Sequence, residues 1–139
     1  MDEKTKTFYD QFWPRSVPHY EETKKYMLAT IREKHAGRSL DAGCGHGVCS
    51  VVLSEFSDEV TAVDLSGKCI ETAKMIAEKF GRPNISFHQE DLQHLDMPDG
   101  SFDLVWCWGV AMMAPRPELV FNHIFRVVKP GGVIYLGVY

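Results

Sequence analysis

Residues 39–49 read SLDAGCGHGVC, three glycines at alternate positions directly behind a short apolar run. Glycine at this density costs chain entropy and adds nothing to a core. Gly43, Gly45 and Gly47 therefore make room for something that approaches the bare backbone. Their surroundings suggest what. Residues 38–43 read as a strand, and 47–57 as a helix that begins inside the glycine turn. In an open parallel sheet, ligands sit beyond the carboxyl ends of the strands, where the strand order reverses. A helix start there also offers unpaired N–H groups to an anion.

The pattern continues outward from this turn. Residues 59–65 (EVTAVDL) form a second strand, and Ser66 reads as the N-cap of a helix over 67–80, with Ile70, Ala73, Ala77 and Phe80 on one face. ISFHQE at 85–90 is a third strand, PDG at 98–100 a turn, and FDLVWCW at 102–108 a fourth strand apolar enough to be covered on both faces. A helix over 116–128, a sharp turn at KPGG (129–132) and a fifth strand at 133–139 complete the alternation. Upstream, Tyr20, Met27, Leu28 and Ile31 mark a helix from His19 to about Ala36, closed by Gly37. Strands alternating with helices predict an α/β fold with a doubly wound, mostly parallel sheet. We expect a single domain, with an aromatic segment and helix at 1–37 packing on a core at 38–139.

Bulk composition bounds the partners. The 139 residues are 45% hydrophobic and 24% charged, with a net charge of -4. That balance argues against nucleic acid as an obligatory partner. No apolar run reaches the length of a membrane span, and MDEKTKTFYD lacks the apolar segment of a signal peptide, so a cytoplasmic location is expected. Cys44, Cys49, Cys69 and Cys107 show no C-x-x-C spacing and read as free thiols rather than zinc ligands.

Asp64 makes the glycine turn specific. It ends the second strand about twenty residues past the glycines, where a carboxylate accepts both hydrogen bonds of a ribose diol. Turn and acid together imply a nucleoside-bearing cofactor. The dinucleotide fingerprint G-x-G-x-x-G fails, because its last glycine would be Val48, and no G-K-[ST] follows the turn.

The residues resemble a class I S-adenosylmethionine-dependent methyltransferase over roughly 38–138. LDAGCGHG is similar to the family's first motif, VDLS to its second-strand acid, EDLQHLDMPDGSFDLVWC to its third- and fourth-strand region, and RVVKPGGVIYLG to the approach to its fifth strand. The resemblance implies a Rossmann-like methyltransferase core binding S-adenosyl-L-methionine. Gly43, Gly45 and Gly47, with Cys44 between them, would run beneath the methionine and ribose, and Asp41 would lie near the amino group. Asp64 would hold the ribose hydroxyls and Leu65 would lie against the adenine. Asp91 would face the exocyclic amine with Leu92 adjacent, and Trp106 and Cys107 would border the methionine and the substrate. Tyr9 resembles an N-terminal tyrosine that closes over the cofactor, or else it caps the core.

The implied reaction is in-line methyl transfer to a small-molecule acceptor, with no metal; alignment alone can supply about 7–11 kcal/mol of barrier reduction. Trp13, Trp106 and Trp108 are candidates to face the cation. No histidine among His46, His88, His94 and His123 is singled out as a base, and no catalytic residue is assigned. Met112 and Met113 either line an acceptor pocket or pack at a helix start. Against the family pattern the chain lacks the last two strands, leaving 133–139 as an apolar edge through which self-association is expected. The alternatives are a non-catalytic S-adenosylmethionine-binding module, or a truncated core, and, less in keeping with Val48, a nicotinamide-dependent oxidoreductase.

Overall fold

The computed structural model describes residues 3–4 and 20–138. The elements run α1 (Tyr20–Thr30), β1 (Ala36–Ala42), α2 (Val48–Ser54), β2 (Ser57–Asp64), α3 (Gly67–Lys79), β3 (Ile85–Gln89), a 3-10 turn (Leu92–His94), β4 (Phe102–Trp108), a second 3-10 turn (Ala111–Met113), α4 (Pro117–Val127) and β5 (Val128–Gly137). All strand pairs are parallel, in the order β3-β2-β1-β4-β5. The sheet is therefore wound outward from β1 in both directions, and the order reverses between β1 and β4. The loop after β1, which carries the glycines, opens at that reversal.

Alternation along β4 shows why the strand reads as continuously apolar. Val105 and Cys107 enter a core with Val120, Ile124 and Val127 of α4, whereas Leu104 and Trp106 enter one with Met27 of α1 and Val52 and Leu53 of α2. Period-two geometry sends successive side chains to opposite faces, and both faces are covered. The α1 helix is also tied down by polar contacts. Glu55, just past α2, accepts from the Tyr20 hydroxyl and pairs with Lys24 at 2.9 Å and Arg82 at 3.3 Å.

Two local expectations are corrected. The first helix ends at Thr30 rather than near Ala36, and Gly37 lies inside β1. Ala36 N–H donates to the Phe56 carbonyl, Arg38 N–H to the Asp103 carboxylate, and a Cβ on Gly37 would sit 2.7 Å from that carboxylate. Sheet pairing and close approach, rather than helix termination, select glycine there. The KPGG stretch is likewise no separate turn. Phe102 pairs with Val128 and Leu104 with Val133, so residues 129–132 bulge from within β5.

The helix starts follow local chemistry. Ser66 caps α3 by accepting from the Cys69 N–H, as its position after the strand predicts. Gly47 has φ +82° immediately before α2, and a Cβ there would meet the Ala73 Cβ of α3 at 2.7 Å. Gly47→Ala combines left-handed strain with a clash and should cost about 1–3 kcal/mol in urea unfolding. Adding Ala73→Gly should recover the steric part and leave the backbone part.

Candidate functional site

Gly43, Gly45 and Gly47 all have positive φ, at 83°, 51° and 82°. This curls the chain so that Gly43 and Cys44 both donate to the Val63 carbonyl at 2.8 Å. The turn is locked to the end of β2 by Asp64: Oδ2 accepts the Gly45 N–H at 2.8 Å and Oδ1 the Ser66 N–H at 2.9 Å.

Two adjoining clefts open here. The first is lined by Asp64, Leu65, Glu90, Asp91 and Leu92 on one side and by Gly109, Val110, Ala114 and Val120 on the other. The second is lined by Asp41, Cys44, Gly45, His46, Val48, Cys49, Trp106 and, from α1, Thr23. Gly43 and Trp108 line both and so mark their junction. A Cβ on Gly43 would stand 2.5 Å from the Val110 side chain, so only bare backbone fits that floor. Trp108 is held by stacking on Trp106 at 4.7 Å and by an edge contact from Tyr26 at 5.5 Å. A Cβ on Gly137 would meet the Trp108 ring at 2.1 Å, so β5 must carry glycine beneath it.

Asp41 is buried, 2% exposed, and accepts the Ser50 hydroxyl at 2.6 Å. Burial pushes its pKa up to about 7, with the charge of Asp64 adding to the effect and the Ser50 bond opposing it. Burial likewise pulls His46 down. Burial, reinforced by Asp41, pushes Cys107 up to about 12 and raises Cys49. Cys44 is raised by burial, then by Asp41 and Asp64. These cysteines are thus held as thiols at neutral pH. Among the described residues, His46 Nε2 and Trp106 Nε1, both from residues lining the second cleft, are buried with no hydrogen-bond partner. Each orphan costs roughly 1–3 kcal/mol until something polar meets it.

Of the residues singled out in the sequence, Asp64, Leu65, Asp91 and Leu92 line the first cleft, Asp41, Cys44, Gly45 and Trp106 the second, and Gly43 both. Gly47 lines neither and serves helix packing; Cys107 is fully buried in the core beside α4. Tyr9 and Trp13 lie outside the described residues. Met112, Met113, His88, His94 and His123 line neither cleft. Sequence reasoning did not single out the wall formed by Gly109, Val110, Ala114 and Val120, nor Thr23, Glu90 and Cys49. The rule that ligands gather at strand ends pointed to the loop after β4, whereas nothing local marks Thr23. Among the described residues no His, Cys, Asp and Glu cluster could hold a metal ion, and no helix is long and apolar enough to cross a membrane.

The fold and clefts are those of a Rossmann-like methyltransferase core. A sequence profile of the methyltransferase domain matches residues 40–136. The chain is 36% identical to the sterol 24-C-methyltransferase erg6 of Aspergillus fumigatus, over 82% of this chain and 30% of that protein. It is 32% identical to the ubiquinone biosynthesis O-methyltransferase of Coxiella burnetii, over 76% of this chain and 44% of the relative. The crystal structure of the YcgJ protein from Bacillus subtilis superposes with a TM-score of 0.77 and 28% identity, over 84% of this chain and 50% of the other. The chain belongs to the class I S-adenosylmethionine-dependent methyltransferase family, whose cofactor is S-adenosylmethionine. It spans half or less of the length of these relatives.

The raised Asp41 pKa has a consequence for stability. An unfolded aspartate titrates near 3.9, so between that pH and about 7 the folded state keeps a proton the unfolded state has released. Stability contributed by this carboxyl is present below about pH 4 and is lost as pH rises toward 7. Asp41→Asn should abolish that decline and stabilise the unliganded protein at pH 8 relative to wild type, as read by urea unfolding at pH 5 and pH 8.

Proposed function

We propose that this chain binds S-adenosylmethionine across the two clefts and transfers its methyl group to a small-molecule acceptor. The observation that carries the reading is the Asp64 carboxylate, bonded to Gly45 and Ser66 at the strand reversal, with Asp91 on the same wall of a cleft otherwise lined largely by apolar residues. The residues present fit the cofactor chemically. Asp64 accepts from the ribose hydroxyls and Asp91 from the exocyclic amine, while Leu65, Leu92, Val110 and Val120 supply apolar surface for a purine. The second cleft offers Asp41 for an ammonium group and the His46 and Trp106 nitrogens for polar atoms. Bound there, the cofactor supplies an electrophilic methyl group on a sulfonium. The chain's part is to orient it, to face the cation with the Trp106 and Trp108 rings, and to keep water out. Aromatic faces contribute about 0.5–2 kcal/mol each to such a cation.

The acceptor is read as a small molecule because the net charge is negative and because the relatives are named for sterol and ubiquinone biosynthesis chemistry. The same reading takes 38–139 as the cofactor-binding core with 1–37 packed on it, acting in the cytoplasm. β5 stands at an edge of the described sheet, and we assign that edge to self-association. A chain that sediments as monomer at every concentration overturns this assignment.

Calorimetric titration with S-adenosylmethionine and S-adenosylhomocysteine tests the cofactor site. Two hydrogen bonds to a charged acceptor are lost in Asp64→Ala, which should weaken binding at least 10- to 100-fold. Affinity should also rise between pH 6 and pH 8 as Asp41 ionises near pH 7 and attracts the cationic ligand, and Asp41→Asn should flatten that profile. A folded protein that binds neither ligand sinks the proposal. Release of S-adenosylhomocysteine with a panel of amine, hydroxyl, thiol and carbon acceptors separates turnover from binding alone.

A further inference from the structure

Ser50 is fully buried in α2, a helix whose other buried residues include Val48, Val51, Val52 and Leu53. A buried hydroxyl is costly unless it is hydrogen-bonded, and in a helix the nearest acceptor is a carbonyl about one turn back. Ser54 takes that route and donates to the Val51 carbonyl at 2.6 Å. Ser50 instead crosses to β1, where its hydroxyl donates to Asp41 Oδ2 at 2.6 Å. Asp41 lies between β2 and β4, in register with Ala62 and Trp106, and lines the second cleft. A hydroxyl donated to a carboxylate favours the anion over the acid.

We infer that Ser50 is a positioning residue for the second cleft, holding the Asp41 carboxyl as the anion that meets a ligand's ammonium group, an inference that rests on reading Asp41 as that group's partner. The titratable groups around Asp41, among the described residues, oppose its charge or are neutral. Asp64, at the end of β2, adds like charge. Cys44 in the glycine turn, Cys49 on α2 and Cys107 on β4 are raised by burial and then by Asp41, and stay thiols. His46 is pulled down by burial and is neutral at pH 7. From α1 the lining residue is Thr23, which carries no charge, while Lys24 beside it pairs with Glu55. The Ser50 bond is thus what opposes the burial of Asp41. Ser50 itself lines neither cleft, so it acts through Asp41 rather than by touching the ligand.

The test follows two ligands by calorimetry from pH 6 to pH 8.5 on wild type, Ser50→Ala and Ser50→Cys. S-adenosylhomocysteine carries the ammonium group; methylthioadenosine keeps the nucleoside and sulfur and lacks the amino-acid portion. Carbon-13 NMR of the Asp41 carboxyl gives its titration midpoint in the unliganded protein. Losing one charge-assisted hydrogen bond should raise that midpoint by about one pH unit or more in Ser50→Ala. The variant's affinity for S-adenosylhomocysteine should then fall at least 3-fold at pH 7, and the deficit should narrow as pH rises to 8.5. Methylthioadenosine affinity should stay within about 2-fold of wild type at every pH. Ser50→Cys, with a weaker donor, should move in the same direction by less. An unmoved midpoint, a midpoint that moves without weakening S-adenosylhomocysteine, or a deficit constant with pH or shared by methylthioadenosine shows a packing role only and overturns the inference. Should Ser50→Ala fail to fold by circular dichroism, Ser50→Cys decides by the same criteria. Wild type that binds S-adenosylhomocysteine equally at every pH overturns the inference while leaving the cofactor site standing. Wild type that binds neither ligand overturns the cofactor reading itself.

Discussion

The Asp64 carboxylate is the contact on which the site depends. It joins the glycine turn after β1 to the turn after β2, through the N–H groups of Gly45 and Ser66. Without it, a turn of three left-handed glycines at alternate positions would have more entropy to lose on binding. With it, the loop is preorganised by the same group that is assigned to the ribose, so order and recognition share one side chain. The register of β1 against β2, which pairs Ala42 with Val63, brings the two turns level. The sheet is therefore part of the binding apparatus.

Charge at this end of the sheet is arranged against the stability of the empty protein. Asp41 is buried with one hydroxyl partner, and Asp64 adds like charge nearby. His46 and Trp106 contribute buried nitrogens with no partner among the described residues. Packing an apolar group at any of these positions would relieve the cost, so their presence is most simply understood through a polar, positively charged guest. Functional sites commonly carry such strain while the surrounding core supplies the stability. Here the supporting core is two-sided: α4 covers one face of β4, and α1 with α2 covers the other.

Trp108 shows how packing decides the shape of a site. It ends β4 and lies at the junction of the clefts, between Trp106, Tyr26 and the bare backbone of Gly137. Those contacts come from three separate elements. The indole is thereby set as a rigid partition, and a partition of fixed position is what aligning two reactants requires.

The amino-acid sequence by itself determined the winding of the sheet, the glycine turn with its strand-end acid, and the start of α3 at Ser66. These rest on local rules: period-two and helical alternation, the conformational licence of glycine, and side-chain capping. It misjudged the end of α1 and the KPGG bulge, because Gly37 and the residues at 129–132 answer to Asp103, a distant residue that local pattern does not reveal. The apolar wall from Val110 to Val120, the placement of Thr23 and His46 in the second cleft, and the burial that raises Asp41 were decided only by tertiary structure. Each depends on which elements the sheet brings side by side, and burial and pairing across the chain are properties of that arrangement rather than of any stretch of sequence.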